Sequence, residues 1–224
     1  KDLDAALASG KTLQVAVMDT IKPIIAKIID VVCFDGNGYS EEWQQEAVRR
    51  GLDVEIRVPE MFKAFTAPSS VAMFTRTGVY TEKELAARNE VKWDTYIKKV
   101  QIESRVMVRM AVNHIIPAAL EYKTRLLKEV SLHQQVMGGF DGCQTEVDLI
   151  RRVGGYIQEI SERAEAMRLA RKRANTIEDD YTRAMAYHTI AQDIETLRRP
   201  IDKLEELVDN QLWPLPKYRE LLFI

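Results

Sequence analysis

The sequence is poor in cysteine, histidine and long apolar runs. Its 224 residues include two cysteines, Cys33 and Cys143, and three histidines. Two thiols without a Cys-x-x-Cys or Cys/His spacing do not make a disulfide framework or a zinc site, so we expect a reducing, cytoplasmic location. No apolar run approaches the roughly 18 to 20 residues that span a bilayer, and no secretory signal pattern is present. We therefore expect no membrane partner.

An excess of either charge is also lacking. The 32 basic residues nearly balance the 34 acidic ones, which leaves a net charge of -2. A general nucleic-acid or anionic-membrane binder would carry a clear positive excess, so we expect no nucleic-acid partner. The chain is long enough to bury a core without metals or disulfides. Because it begins with Lys1 and contains no recognisable catalytic core, we expect it to be a piece of a longer polypeptide.

Motifs for phosphate binding and nucleophilic catalysis are missing. Gly36 and Gly38 stand in a Gly-x-Gly arrangement but lack the third glycine and the preceding strand of a dinucleotide site. We predict a plain turn here. The alternative, that the loop from Asp35 to Trp43 borders a ligand pocket or active site, stays open. No Gly-x-Ser-x-Gly elbow occurs and neither cysteine has a nearby histidine, so no catalytic residue is assigned.

The histidines do not form a metal site by spacing. His114, His133 and His188 are far apart, and none has a ligand partner three or four residues away. His188 lies on an apolar helical stripe and is predicted to be a packed core histidine rather than a metal ligand. We assign no metal-binding and no cofactor-binding residue to this sequence.

Two charged clusters have both a structural and a functional interpretation. The acids Glu178, Asp179 and Asp180 fit the first turn of a helix better than a metal cluster. Arg168 and the run Arg171-Lys172-Arg173 fit a solvated helix face, with a phosphate or RNA patch as the alternative.

Helical periodicity runs through most of the chain. Apolar residues three and four apart predict an amphipathic helix from Thr12 to Val32, with a bend or a late start at Pro23. The run Asp35 to Gly38 ends it in a tight loop that tolerates left-handed backbone angles. Ser40 is the predicted N-cap of a short helix that reaches about Arg50.

The middle of the chain predicts short helices and then one long helix. Residues 52–80 hold prolines and small apolar clusters, which suggests small helices joined by turns. Thr81 and Glu84 form a capping-box pattern that opens a helical stretch to about Val130, kinked near Pro117.

The C-terminal half predicts a helical hairpin. Two heptad-like runs at residues 144–174 and 181–208 are joined by a short link and should fold back as an antiparallel pair. Five apolar residues of the tail are expected to be buried, against their own domain or a neighbouring chain: Trp213, Leu215, Leu221, Leu222 and Phe223. The fold class is therefore all-α, a kinked long helix plus a coiled-coil-like hairpin, with short helices nearer the N-terminus. We place a domain boundary between segments 1–80 and 81–224.

Several segments together resemble the end of type III glutamine synthetases. They are, in order, FDGNGYSEEW at residues 34–43, GVYTEKELAAR at 78–88, KKVQIESR at 98–105, NHIIP at 113–117 and WPLPKYRE at 213–220. Each is weak alone, but their order across nearly the whole chain is specific. The run Arg105-Val106-Met107-Val108-Arg109 departs from what the family leads us to expect.

The resemblance implies a parent enzyme that joins glutamate and ammonia at the expense of ATP, with Mg²⁺, in a ring-shaped homo-oligomer. The family's metal, ATP and phosphate sites lie on a sheet upstream of these motifs, so segment 1–80 would follow that catalytic sheet. The chain would then be a non-catalytic helical part, with the upstream catalytic domain and neighbouring subunits as its partners. The alternative is a stand-alone helical scaffold or coiled-coil interaction module.

Overall fold

The chain is all-α, as its sequence predicts. The computed structural model describes residues 1–222, apart from the side chains of Tyr218 and Arg219, and these residues contain helices and turns but no strand. They form two compact units, Lys1–Ile56 and Arg57–Ile224. Each unit has its own helices and is described by itself below.

The first unit contains three helices, α1 (Asp2–Ala8), α2 (Leu13–Val32) and α3 (Glu41–Arg49). Helix α2 begins at Leu13 and continues through Pro23, so the late start considered from the sequence does not occur. Ser40 caps α3 as predicted, because its hydroxyl accepts a hydrogen bond from the Trp43 backbone N–H at 3.2 Å. Gly51, with φ of 73°, follows the end of α3.

The second unit is built around three long helical segments. Its helices are α4 (Val58–Phe65), α5 (Pro68–Arg76), α6 (Glu82–Met110), α7 (Ile116–Met137), α8 (Gln144–Ala174), α9 (Asp180–Leu207) and α10 (Tyr218–Leu221), with a π-helical turn at Ala111–Ile115 between α6 and α7. The capping box that opens α6 is present, since the Thr81 and Glu84 side chains each accept from the other's backbone N–H. These hydrogen bonds from Thr81 lower the pKa of the Glu84 carboxyl.

The short helix α4 is anchored on α6 by one buried amide. Asn89 is 8% exposed. Its side-chain nitrogen donates to the Phe62 carbonyl at 2.9 Å, and its oxygen accepts from the Trp93 indole N–H at 2.8 Å. Residues 57–80 therefore belong with the second unit, and the boundary between the units lies at 56/57, upstream of the boundary at 80/81 that we placed from the sequence.

Removing this amide should loosen α4 from α6. Asn89→Ala leaves the Phe62 carbonyl and the Trp93 N–H without their partner, so we expect the free energy of unfolding to fall by about 1–3 kcal/mol. Urea denaturation followed by tryptophan fluorescence measures this change. Gln135→Ala, which removes an exposed amide from α7, is the control and should leave the free energy within about 0.5 kcal/mol of the parent value.

The long helical run is interrupted at the expected place but ends later than predicted. The π-helical turn Ala111–Ile115 directly precedes Pro117, which stands in the first turn of α7. Proline has no N–H for the preceding turn, and a π-helical turn is one way in which a helix accommodates that gap. Helix α7 continues past Val130 to Met137 and ends at Gly138, whose φ of 76° is left-handed.

Helices α8 and α9, which the sequence predicts to form a hairpin, pack against each other and supply most of the core. Asp179 caps α9 by accepting from the Thr182 N–H at 2.7 Å. The largest fully buried side chains of the two helices are Val153, Ile160, Met167, Tyr187, Ile190, Leu197 and Leu204. Ile160 and Leu197 belong to one core with Trp93, Ile97 and Val100 of α6. Helices α8 and α9 therefore pack on each other through these apolar faces, and together they pack on α6.

The apolar tail is only partly buried. Trp213 is 7% exposed and Leu215 is half-buried, in agreement with the prediction. Lys217 holds the chain here, since its ammonium donates to the Glu205 and Val208 carbonyls at 2.6 and 2.7 Å at the end of α9. Leu221 and Leu222 are exposed, so this chain does not itself bury them, and their burial by a neighbouring chain stays a prediction. Phe223 lies outside the described residues.

Candidate functional site

Helix α2 presents an unusually large exposed apolar surface. Ten of its large apolar side chains are between 38% and 61% exposed: Leu13, Val15, Met18, Ile21, Ile24, Ile25, Ile28, Ile29, Val31 and Val32. Its buried residue is Ala16. A helix this apolar normally lies inside a protein, because exposed patches on monomers rarely exceed ~300–600 Å². We call this surface the α2 face.

The other side of α2 is charged. Lys27 and Asp30 lie there, with Asp19, which accepts a hydrogen bond from Lys11 at 2.7 Å. That hydrogen bond lowers the pKa of the Asp19 carboxyl. Apolar and charged faces on one helix are typical of a surface that packs on another protein element. Within the described residues, no helix is long and apolar enough to cross a membrane.

A second exposed apolar surface follows α7. Leu120 and Leu127 are 47% and 48% exposed, Leu132 is 62% exposed and Val136 is 80% exposed. Two shallow grooves of about 670 and 440 Å³ lie along this side of the helix. The second unit therefore also carries apolar surface that its own core does not cover.

A third apolar groove, of about 640 Å³, lies where α6 begins. Its walls are aromatic and its rim is cationic, because Lys92 lies 3.0 Å from the centre of the Phe65 ring and Arg88 lies 4.7 Å from that of Tyr80. Burial lowers the pKa of the Lys92 ammonium. The positive charges of Lys92 and Arg88 therefore make cation–π contacts with these two rings.

The glycine loop forms a turn. The Tyr39 N–H donates to the Asn37 side-chain oxygen at 3.0 Å. Gly36 and Gly38 do not have the left-handed angles that the sequence suggested. A Cβ at Gly36 would lie 2.7 Å from the Phe34 ring, so a larger residue there would require this ring to shift. The ring packs on Trp43 with ring centres 4.5 Å apart.

The structure separates the three histidines into different surroundings. His188 is half-buried, and its Nδ1 lies 3.0 Å from the Tyr96 hydroxyl. Its neighbour in sequence, Tyr187, is fully buried. His133 Nε2 lies 2.7 Å from the Asp141 carbonyl oxygen, which ties α7 to the following loop, and His114 is exposed.

Carboxylates are arranged along helix faces. Glu46 pairs with Arg49 and Arg50, and hydrogen bonds from these two arginines lower its pKa to about 2. Asp94 pairs with Lys98 at 2.7 Å one turn away. Among the described residues, no group of three or more His, Cys, Asp or Glu side chains is placed to hold a metal ion.

The acidic cluster lies where the sequence predicts, whereas the basic cluster has surroundings that the sequence did not predict. Asp179 is the N-cap of α9 and Asp180 pairs with Arg183, so the acids occupy a first helical turn as predicted. Arg168 and Arg171 on α8 do not lie on a purely solvated face. They line a pocket with Arg105 of α6, a convergence that spacing could not reveal.

The fold and these surfaces define an all-α domain with large exposed apolar helix faces. Comparison with known proteins is more specific. The sequence profile described as "Glutamine synthetase C-terminal domain" matches residues 16–134, more than half of the chain. The chain therefore belongs to the glutamine synthetase C-terminal domain family.

Individual relatives agree with the family. The chain is 42% identical over 197 residues to a "Glutamine synthetase" of Bacteroides fragilis, a match that covers 85% of this chain and 27% of that protein. It is 28% identical to a "Glutamine synthetase" of Butyrivibrio fibrisolvens, over 96% of this chain and 31% of that protein. A "Type-3 glutamine synthetase" of Dictyostelium discoideum is 23% identical over 94% of the chain and 29% of its own length. The chain thus spans less than a third of the relatives it matches.

Proposed function

We propose that this chain is the non-catalytic C-terminal helical part of an ATP-dependent glutamate–ammonia ligase, and that it acts by contact with the upstream catalytic region and neighbouring subunits. Family membership supports the ligase part of this proposal. The share of the relatives that the chain covers supports its being one portion of a larger protein.

The proposed contact role rests on the exposed apolar side chains of the α2 face. Burying apolar surface stabilises an interface by about 25 cal/mol per Å², so a face of several hundred Å² is costly to leave in water. Its charged opposite side stays suited to solvent. A protein surface that covers the apolar side and leaves the charged side free meets both requirements, and in a homo-oligomeric ligase that surface belongs to the catalytic region or to another subunit.

Mg²⁺, which the ligase reaction requires, does not fit the described residues of this chain. Mg²⁺ is held by converging oxygen ligands, whereas the described carboxylates are spread along helices in caps and pairs one turn apart. We therefore assign no step of the reaction to these residues. Transfer of a phosphoryl group to glutamate belongs, in this proposal, to the upstream catalytic region.

Glutamine formation tests the proposal directly. The 224-residue chain, given glutamate, ammonia, ATP and Mg²⁺, is expected to form no glutamine above the uncatalysed background. A version of the same polypeptide extended upstream to the full length of the relatives is expected to form it readily. Glutamine is quantified by chromatography in both samples.

Two results would contradict the proposal. Turnover by the 224-residue chain alone would show that it is catalytic. A folded, assembled full-length protein without activity would remove the ligase assignment. Heat-treated full-length protein serves as the background control for both measurements.

A further inference from the structure

A small pocket between α6 and the end of α8 is lined almost entirely by donors of hydrogen bonds. Its volume is about 150 Å³, and its lining residues are Gln101, Arg105, Arg168, Arg171, Lys172 and Asn175. Four of the six are cations and none is a carboxylate. Such a lining is unusual in a chain whose charges otherwise balance.

Arg171 lies in electrostatically unfavourable surroundings. Burial lowers the pKa of its guanidinium, and the charges of Arg105, Arg109 and Arg168 lower it further. A guanidinium nevertheless stays protonated at neutral pH. Folding has therefore placed like charges together here, which is unfavourable unless an anion joins them.

The hydrogen bonds of Arg171 are incomplete as well. Its Nε and Nη1 atoms are both buried and have no partner in the described part of the chain. A buried donor without a partner costs free energy, so these two N–H groups call for an acceptor. The carboxylate of Glu165 does not supply it, because Glu165 binds Arg168 in a two-bonded pair at 2.5 and 2.6 Å.

The helix dipole does not account for the whole cluster. Lys172 and Arg171 stand in the last turn of α8, where cations are favoured by the free carbonyls. Arg105 and Arg109 belong to α6, which continues through the π-helical turn into α7. The helix therefore does not end beside these two arginines, and no unpaired C-terminal carbonyls lie there. Their position beside α8 adds positive charge that the dipole does not require.

Two of the lining residues are tied to each other and to the core by hydrogen bonds. The Asn175 side-chain oxygen accepts from the Tyr187 hydroxyl at 2.6 Å and from Gln101 Nε2 at 3.1 Å. Tyr187 is fully buried in the core. This side of the pocket is therefore positioned before a ligand arrives, which lowers the cost of binding.

We infer that this pocket binds a small oxyanion of the phosphate class, as inorganic phosphate or as the phosphomonoester end of a small molecule. Guanidinium groups bind tetrahedral oxyanions through paired, charge-assisted hydrogen bonds, and Arg105 and Arg171 supply them. Arg168, whose Nε and Nη2 already donate to Glu165, adds positive charge to the pocket. The small recessed volume favours a single phosphate group over a nucleic-acid strand, whose binding uses an extended positive groove.

Calorimetric titration tests this site on the 224-residue chain. Inorganic phosphate and glycerol phosphate are titrated at constant ionic strength, because simple screening would otherwise imitate binding. We expect saturable binding of one equivalent. Arg105→Gln and Arg171→Gln should each weaken it by about tenfold or more, since each removes a charge-assisted donor. Arg151→Gln is the matched control, because it removes the same charge from the exposed start of α8.

The variants also separate loss of the site from loss of the fold. Circular dichroism melting without phosphate should show Arg171→Gln to be at least as stable as the parent, because the substitution relieves repulsion from neighbouring cations. Equal binding by all variants, or no saturable heat with the parent chain, would overturn the inference. Binding of a single-stranded RNA without binding of phosphate would overturn it too. These readouts do not depend on glutamine formation and so are independent of the proposed function.

Discussion

Leu197→Ala is expected to destabilise the second unit by about 2–5 kcal/mol. Leu197 is fully buried in the core between α8, α9 and α6, so its truncation removes apolar contacts and leaves a cavity that rigid helices cannot fill. The loss is a large part of the ~5–15 kcal/mol that stabilise an ordinary domain. Urea denaturation read by tryptophan fluorescence is the measurement, since Trp93 and Trp213 both lie in this core.

The matched control for this prediction is Leu132→Ala. Leu132 has the same side chain but is 62% exposed on α7, so its truncation should change the free energy of unfolding by less than about 0.5 kcal/mol. If the two variants unfold at the same urea concentration as the parent chain, α8 and α9 do not pack as described. That result would remove the structural basis of the hairpin.

Changing the α2 face should affect assembly and leave the fold intact. Ile25 and Ile28 are 47% and 40% exposed, so the double variant Ile25→Gln and Ile28→Gln should unfold at nearly the same urea concentration as the parent. In the 224-residue chain it should reduce self-association and the binding of apolar dyes. In the full-length protein it should release smaller assemblies, because the proposed interface loses apolar area.

Sedimentation velocity on both proteins measures these effects. The control variant is Lys27→Gln with Asp30→Asn, which changes the charged side of the same helix and should leave the assembly state unaltered. A sharp loss of stability in the isoleucine variant of the 224-residue chain would show that the chain covers this helix itself. An unchanged assembly in the full-length protein would contradict the contact role of the α2 face.

Much of the helical framework follows from local chemistry. The spacing of apolar residues predicts α2, α8 and α9 to within one or two residues, because the period of a helix fixes which side chains share a face. Ser40 and the pair Thr81 and Glu84 predict two helix starts, since their side chains satisfy backbone groups only a few residues away.

Other features depend on side chains that are distant in sequence. The apolar composition of the tail predicts that Leu221 and Leu222 are covered, yet within this chain both are exposed. Periodicity places His188 on the core stripe, yet its side chain is half-buried, whereas its neighbour Tyr187 is fully buried. An apolar residue indicates that burial is favourable but not which surface covers it. The membership of α4 in the second unit is decided in the same way, by the contacts of Asn89 across two helices.

The sequence by itself determined the helical class, the positions of the long helices and, through its motifs, the family, because each depends on residues close together along the chain. Only the tertiary structure decided that the α2 face stays exposed and that Arg105 meets Arg168 and Arg171. Arg105 and Arg171 are 66 positions apart in the chain. Packing of α6 against α8 is what brings their like charges together, and no pattern within either helix carries that information.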